Sequence, residues 1–350
     1  MKAFLTRLMT IVACMAVAAP LAAREGPSAE TPLVDHHIHI FSPKSSAVLK
    51  AICKAVGPTR CPEEISKEPS TGDDVVHALD AAGIRKGVLL SGAYFFASPA
   101  AAVPSDKLAP EIRAENTFIV AQAKAHCGRL VPIISVNPLW PGAIAEIDHW
   151  GKVGGAAGLK LHLGNSGFDF RDPVQVRKLA AVFAAADRNH LAIIIHLQTQ
   201  LSSYGPEDAR IFLSRVLPSA PHVPVQIAHV GSGGGLDKGV LSVLAVFADA
   251  IRDKPTLTRH LVFDLAMVPD LFSNARKLSA AASDDVALGK TMRSIGLNRF
   301  VPGSDYTFGL DLRAYYSNQK ASLALGDADW RAIAHNQAAY VRRWAPCRRR

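Results

Sequence analysis

The sequence predicts a parallel (β/α)8 barrel, the TIM-barrel fold, for nearly all of its 350 residues. Eight short apolar segments recur along the chain, and segments with the apolar spacing of helices separate them. The apolar segments are almost continuous runs of Val, Ile and Leu, as expected for strands that are buried on both faces. A doubly wound open sheet is the alternative, but no glycine-rich dinucleotide fingerprint follows the first strand.

The element boundaries follow from these two periodicities. The predicted strands are 33–40, 87–91, 130–136, 158–163, 192–196, 223–229, 261–265 and 299–304. The clearest predicted helices are 73–82, 111–126, 173–189, 206–216 and 236–251. Since barrels of this type commonly use 250 residues or more as one unit, the length predicts a single barrel domain rather than two domains.

Residues 1–23 have the layout of a secretory signal peptide. Lys2 and Arg7 lie near the start, an apolar run follows over 8–19, and the small residues Ala22 and Ala23 mark the expected cleavage site. The apolar run is shorter than the ~20 residues of a transmembrane helix. We therefore expect a barrel domain over 24–350, exported to a bacterial periplasm or secreted, without a stable membrane span. Retention as an uncleaved N-terminal anchor is the alternative.

The composition is that of an ordinary globular protein, with 49% hydrophobic and 20% charged residues. Much of the net charge of +9 comes from arginines of the last helix and tail. Because basic residues are not interleaved with aromatic ones in a binding motif, we expect no nucleic-acid partner. We expect a small-molecule substrate, which the positive charge would favour if it is anionic. The sequence leaves the oligomeric state open, and a homo-oligomer is compatible with it.

Four cysteines remain once Cys14 leaves with the signal peptide. An even number of cysteines in an oxidising compartment predicts disulfides. Cys53 and Cys61 flank a loop that contains Gly57 and Pro58, so we expect them to pair, which leaves Cys127 to pair with Cys347. Four cysteines allow three pairings, and the other two stay open.

The segment Asp35-His36-His37-Ile38-His39 carries the most chemical information. Side chains alternate along a strand, so Asp35, His37 and His39 share one face. Two imidazoles about 7 Å apart along a strand can converge on one ion where the strand end opens into a cavity. The alternative is that these histidines are surface or core residues without a ligand.

Four further predicted strands end in polar residues, and in this fold the active site lies at the carboxyl ends of the strands. The residues are Lys160 and His162 on the fourth strand, His196 on the fifth, His229 on the sixth and Asp305 after the eighth. Burying one such residue without a partner would be unfavourable. Five strands with the same feature predict a shared site.

These residues resemble the amidohydrolase superfamily, in particular its amidohydrolase-2 branch of decarboxylase-like metal-dependent hydrolases. The matching segments are Asp35-x-His37-x-His39, Gly158-Leu159-Lys160-Leu161-His162, His196, Ala228-His229-Val230-Gly231, Gly303-Ser304-Asp305-Tyr306 and Ile333-Ala334-His335-Asn336. The resemblance implies that His37, His39, His196 and Asp305 hold a divalent ion, usually Zn²⁺ or else Mn²⁺. It also implies that Asp305 accepts a proton from water and that His229 orients the water or stabilises charge on the substrate.

Lys160 has several interpretations. In some branches of the superfamily a lysine on the fourth strand is carboxylated and bridges two metal ions. An unmodified lysine would instead bind a substrate carboxylate, act as an acid, or pair with Asp305 or Asp35. We favour one metal ion over two. His162 is expected either to contact the substrate or to support a residue that does.

Three functions remain open. The first is a metal-dependent hydrolase of an ester, lactone or amide, which export favours. The second is a non-oxidative decarboxylase or other lyase acting on a small aromatic acid, for which Arg113 and Arg171 are the candidate carboxylate-binding residues. The third is a non-catalytic periplasmic binder, which would be expected to lack the water-activating residues His229 and Asp305. The motifs of serine hydrolases, phosphate-binding loops and zincins are missing from the sequence.

Overall fold

The computed structural model describes residues 31–56, 71–236, 238–268, 281–306, 311–323 and 325–344. Eight parallel strands lie side by side in the order of the chain. They are β1 (Val34–His39), β2 (Lys86–Leu90), β3 (Leu130–Ser135), β4 (Gly158–His162), β5 (Ala192–His196), β6 (Val225–Ile227), β7 (Leu261–Asp264) and β8 (Phe300–Val301). The architecture is therefore the predicted (β/α)8 barrel.

Hydrogen bonds between β1 and the segment that follows β8 bring the first and last strands together. The amide of His36 donates to the carbonyl of Pro302 at 2.9 Å, and the amide of Asp305 donates to the carbonyl of His37 at 2.8 Å. A parallel bridge also pairs Ile38 with Tyr306. These contacts place Asp305 directly beside the histidines of β1.

Thirteen helices are present among the described residues. They are α1 (Pro43–Val56), α2 (Gly72–Ala82), α3 (Ser105–Ala125), α4 (Ala143–Val153), α5 (Leu163–Ser166), α6 (Pro173–Arg188), α7 (Pro206–Ile211), α8 (Lys238–Asp253), α9 (Pro255–Thr258), α10 (Ala281–Ile295), α11 (Leu312–Ser322), α12 (Asp327–Ala334) and α13 (Ala339–Arg343). Local sequence explains several boundaries. Thr71 caps α2 in a capping box with Asp74, and Asp172 caps α6 ahead of a proline at its first position.

The predicted strands and helices are all present, but some boundaries differ: β8 covers only Phe300–Val301 of the predicted 299–304, and α3 begins at Ser105 and not at 111. Two further differences reflect irregular backbone. The sixth strand ends at Ile227, and Ala228–Gly231 forms a 3₁₀ turn with left-handed backbone at His229 and Val230. The helix predicted over 206–216 is α7 followed by a π-helical turn, Phe212–Val216. In both places the backbone departs from regular strand or α-helical geometry, and the spacing of apolar residues does not reveal such departures.

Side chains of alternate residues along the strands form two separate apolar cores. One lies between the sheet and the surrounding helices and includes Leu89 and Leu161. The other lies inside the barrel and includes Val88, Leu90 and Ile194, together with Tyr340 of α13. Alternation along β4 therefore directs Lys160, which lies between Leu159 and Leu161, toward the barrel interior.

Some predictions concern segments outside the described residues. The leader 1–23 lies there, as do Cys61 and Cys347. Cys53 and Cys127 are each disulfide-bonded, in agreement with the expectation that both are oxidised. Within the part of the chain that the structure describes, no helix combines the length and apolar character needed to cross a bilayer.

Candidate active site

His37 and His39 lie side by side at the carboxyl end of β1, as their spacing predicts. Their ring centroids are 5.2 Å apart, and their two Nε2 atoms are 3.3 Å apart. Both residues are buried, with exposed fractions of 0% and 6%. The two imidazoles therefore present the same edge to one small volume at the mouth of the barrel.

The other ring nitrogens of these histidines are already engaged. His37 Nδ1 lies 3.0 Å from Asp264 Oδ2, and His39 Nδ1 lies 3.1 Å from the carbonyl oxygen of Leu90. Since a carboxylate and a carbonyl accept hydrogen bonds, each Nδ1 carries a proton and each ring turns its Nε2 toward the shared volume. Burial holds the pKa of His39 well below its usual value, and the like charges that His37, Lys160 and His162 carry when protonated lower it further.

Asp305 completes a group of three electron-pair donors. Its Oδ1 lies 3.4 Å from His37 Nε2 and 3.6 Å from His39 Nε2. Two imidazole lone pairs and a carboxylate cannot donate protons to one another, whereas a divalent cation would satisfy all three. The described residues contain this ligand group and a second one, formed by His37, His229 and Asp264. The donor chemistry of the first group fits a metal ion.

Asp264 is a site residue that the sequence analysis missed. It is fully buried at the end of β7 and accepts four hydrogen bonds. The donors are His37 Nδ1 at 3.0 Å, Gln226 Nε2 at 2.7 Å, the amide of His229 at 2.9 Å and the amide of Ala266 at 3.2 Å. Burial alone would raise the pKa of Asp264, but the charge and hydrogen bond of His37 outweigh burial and lower it. A lone carboxylate within a predicted buried strand was the available signal.

These four hydrogen bonds also argue against Asp264 as a metal ligand. Each carboxylate oxygen already accepts two of them. To bind a metal ion, an oxygen of Asp264 would have to give up one of these hydrogen bonds. We therefore infer that Asp264 holds His37 in place. Carboxylates commonly play this role by accepting the hydrogen bond of the second ring nitrogen of a metal-binding histidine.

Two residues of the site have left-handed backbone, which is unusual without glycine. Asp305 has a φ of 61° and His229 a φ of 53°. The amide of Asp305 is bound to β1, and the amide of His229 is bound to Asp264. The site therefore holds both side chains by backbone contacts with neighbouring strands, a feature typical of functional residues.

His229 lies between His37 of β1 and His196 of β5. Its Nδ1 donates to the carbonyl of Ala266 at 2.7 Å, so its Nε2 carries the lone pair in the neutral ring. The ring centroid lies 4.7 Å from that of His37 and 5.1 Å from that of His196. Burial, followed by the charge of His37, lowers the pKa of His229. The residue is therefore placed to accept a proton within the site.

Lys160 enters the site from the barrel interior. It is 1% exposed, and its Nζ lies 3.1 Å from His37 Nε2. Burial lowers the pKa of Lys160 to about 8, although the charges of Asp264 and Asp305 favour the protonated form. The amine is thus close to the predicted ligand group and is more easily deprotonated than a surface lysine.

His162 and His196 form a stacked pair on the opposite side of the site. Their ring centroids are 3.9 Å apart and the rings are nearly parallel, at 11°. The Nδ1 of His162 accepts a hydrogen bond from the amide of Asn165 at 3.2 Å. The ligand atoms of His196 are not part of either three-residue group found among the described residues. Its assignment as a metal ligand stays a prediction.

A family model described as amidohydrolase matches residues 34–341. The chain belongs to this family. The match spans all eight strands and every site residue described above, which confirms the resemblance seen in the sequence. A search of curated proteins finds no significant match.

Solved structures of this fold include several decarboxylases. The chain is similar to 5-carboxyvanillate decarboxylase from Sphingomonas paucimobilis, with 14% identity and a TM-score of 0.59 over 87% of this chain and 96% of that one. The Metarhizium anisopliae IDCase is 16% identical, with a TM-score of 0.57 over 89% of this chain and 97% of that one. The 5-carboxyvanillate decarboxylase of Novosphingobium aromaticivorans, solved with bound manganese, is 11% identical. Its TM-score is 0.57 over 91% of this chain and 99% of that one. At these identities the likeness concerns the fold.

Proposed function

We propose that this member of the amidohydrolase family is a divalent-metal-dependent hydrolase that acts on an ester, lactone or amide of a small, preferably anionic, organic substrate. The observation that carries the proposal is the convergence of His37 Nε2, His39 Nε2 and Asp305 Oδ1 within 3.3–3.6 Å of one another. Because both Nδ1 atoms are engaged elsewhere, the three donors are left with their lone pairs directed at one another.

His37, His39 and Asp305 would hold the ion, with His196 as a further ligand. Nitrogen and carboxylate donors of this kind suit Zn²⁺, and Mn²⁺ is the alternative. When bound, such an ion supplies Lewis-acid polarisation of a carbonyl group and lowers the pKa of water toward 7. We favour a single ion.

Asp305 takes the proton in this proposal. Its side chain is 19% exposed, whereas that of His37 is fully buried, so its carboxylate is accessible from the mouth of the barrel. A carboxylate that touches the ligand group and is also open to the mouth can accept a proton from water during attack on a substrate. Its backbone contact with β1 keeps it in reach of both imidazoles.

His229 and Lys160 have separate roles. The neutral His229 ring, held by Ala266, offers its Nε2 to water or to charge that develops on the substrate. Lys160, when protonated, supplies a buried positive charge that attracts a substrate carboxylate. The alternative for Lys160 is carboxylation and a second ion.

Decarboxylation of an aromatic acid is the second candidate. It is favoured by a wall of flat rings, in which Tyr94 lies 5.1 Å from His162, which in turn stacks on His196. Solved structures of the same fold include a 5-carboxyvanillate decarboxylase and a 2,6-dihydroxybenzoate decarboxylase. However, the two arginines expected to bind the departing carboxylate are engaged, Arg113 with Glu146 and Arg171 with Asp208. A non-catalytic binder is less favoured because His229 and Asp305 both lie in the site.

Hydrolysis and decarboxylation are distinguished by whether oxygen from water enters the product and whether carbon dioxide is released. The metal-reconstituted protein is incubated in ¹⁸O-water with panels of esters, lactones, amides and aromatic acids. We expect ¹⁸O in a carboxylate product and no carbon dioxide from the acids. Release of carbon dioxide without ¹⁸O incorporation would replace the hydrolase proposal by the decarboxylase. Metal binding without turnover of any panel member would favour the binder.

Export belongs to the same proposal. The disulfides at Cys53 and Cys127 support an oxidising compartment. We expect N-terminal sequencing of the mature protein to begin near Arg24, and thiol titration without reductant to find no free thiol. Four reactive thiols in protein taken from the periplasm would contradict the disulfide pairing, and an N-terminus at Met1 would contradict cleavage.

A further inference from the structure

A chain of buried hydrogen bonds runs from the C-terminal helix to His37. The hydroxyl of Tyr340 lies 2.8 Å from Gln226 Oε1, and Gln226 Nε2 lies 2.7 Å from Asp264 Oδ2. The same oxygen of Asp264 lies 3.0 Å from His37 Nδ1. Tyr340 is 5% exposed, and Gln226, Asp264 and His37 are fully buried. The contacts join residues that are far apart in the sequence.

Only one arrangement of protons satisfies this chain. Asp264 is an acceptor, so the amide group of Gln226 must turn its NH₂ toward it. The second proton of that NH₂ is directed at the carbonyl of His36, at 3.3 Å. Gln226 Oε1 is then left facing Tyr340, whose hydroxyl must donate. Rotating the amide would set Oε1 against the Asp264 carboxylate, an unfavourable contact in a buried site.

Tyr340 enters the barrel from the end opposite to the site. With Ala157 and Pro224, which lie just before β4 and β6, it lines a cavity at the amino ends of the strands. Its ring belongs to the apolar core inside the barrel. The amide of Ala338, just before α13, also donates to His36 Nε2 at 3.2 Å. The helix is thus tied to β1 directly and to His37 through two side chains.

We propose that Tyr340 and Gln226 are positioning residues that hold Asp264, and through it His37, in the orientation needed to bind metal. The C-terminal helix α13 thereby sets the metal affinity of a site at the other end of the barrel. Partners of metal-ligating histidines fix the ring orientation and keep the ligand nitrogen basic, and Gln226 fixes such a partner. This inference rests on the proposed function, in which His37 is a metal ligand.

The test measures the Mn²⁺ and Zn²⁺ affinities of the full-length protein by competition with a chelator. Loss of an outer partner typically weakens metal binding by about 10- to 100-fold, and we expect this for Gln226→Met. For Tyr340→Phe, which removes only the hydroxyl, we expect weakening of about 3- to 10-fold, below that range because the effect passes through two side chains. Trp150→Phe is the matched control, because it removes another buried donor, the one to Glu146 at 2.7 Å, without touching the chain. Its affinity should equal that of the wild type.

A second measurement does not need metal. In ¹⁵N-histidine-labelled apoprotein, the Nδ1 proton of His37 should give a downfield signal that shifts in Tyr340→Phe and stays in place in Trp150→Phe. Wild-type metal affinity and an unshifted signal in Tyr340→Phe would overturn the inference while leaving the metal site intact. A wild-type protein that binds no metal would instead overturn the proposed function, and with it this inference. Should Gln226→Met fail to fold, Tyr340→Phe decides the matter alone.

Discussion

The two sides of the site differ in how their histidines are held. In the carboxylate side, formed by His37, His39, Asp264 and Asp305, each imidazole has its Nδ1 bound to a carboxylate or a carbonyl. In the imidazole side, formed by Lys160, His162 and His196, the two rings stack on each other at 3.9 Å. Each side combines buried residues with partly exposed ones, Asp305 on the first side and His162 and His196 on the second. The difference that matters is therefore one of charge.

This difference indicates a division of labour. Negative charge and oriented lone pairs on the carboxylate side favour a cation there. The imidazole side contributes flat, neutral rings and the amine of Lys160, since burial holds the pKa values of His162 and His196 well below the usual value. Such groups suit contact with an organic substrate. His229 lies within 5.1 Å of a ring on each side and is placed between the two functions.

The largest effects are expected on the carboxylate side. His37→Ala and Asp305→Ala each remove a predicted ligand, so metal affinity should fall by more than the ~100-fold caused by losing an outer partner, and turnover should be abolished. Elemental analysis after dialysis measures the bound metal. Asp187→Ala, which removes a carboxylate paired with His222 elsewhere, is the control and should retain metal. Full metal content in both site variants would show that His37 and Asp305 are not metal ligands.

His229→Asn should separate chemistry from metal binding. The substitution removes the proton acceptor between the two sides, and turnover should fall by about 10²- to 10⁴-fold, the range for loss of a general acid or base. Metal content should stay nearly unchanged. Steady-state kinetics together with elemental analysis provide both readouts. Turnover at the wild-type rate would mean that His229 is structural and that the two sides act without it.

Lys160→Ala tests whether the imidazole side binds substrate or a second ion. If the amine contacts a substrate carboxylate, KM should rise by about 10-fold or more, as for a lost charge-assisted hydrogen bond, and metal content should not change. If Lys160 is carboxylated, the variant should lose one of two ions, and added short-chain carboxylates should restore part of the activity. Metal stoichiometry and KM, measured on the same preparations, distinguish these outcomes.

A separate effect concerns stability, at the contact between α3 and the segment that follows β1. Glu115 of α3 is 1% exposed and accepts hydrogen bonds from the amide and hydroxyl of Ser42, which follows β1. Burial raises the pKa of Glu115 from 4.5 to about 7, although the hydrogen bonds of Ser42 oppose this. Between these pH values the unfolded chain releases a proton that the folded protein keeps. The free energy of unfolding should therefore decrease as pH rises through this window, by up to about 3 kcal/mol.

Glu115→Gln should lack this decrease, because its side chain does not titrate. Chemical denaturation at pH 4 and pH 8 measures the difference between variant and wild type. Glu111→Gln, on the same helix and paired with Lys44, is the matched control. A wild-type protein whose loss of stability between pH 4 and pH 8 matches that of Glu115→Gln would contradict the raised pKa.

Much of the site was predictable because its residues lie at strand ends. Apolar periodicity located the strands, and their alternation placed His37 and His39 on one face, as observed. The order of parallel strands then required the ends that carry Lys160, His196, His229 and Asp305 to meet at one mouth. The left-handed backbone at His229 and Asp305 was not predictable, since neither residue is glycine and the strain is held by contacts with other strands.

The sequence by itself determined the barrel, the family and the identity of most of the polar residues at the mouth, because periodicity and motif spacing are local properties of the chain. Only the tertiary structure decided how those residues are paired. The contact of His37 with Asp264 joins positions 227 residues apart, and that of Tyr340 with Gln226 joins positions 114 apart. A carboxylate in a strand has no local signature of its partner, because the partner is set by which strands become neighbours when the barrel closes.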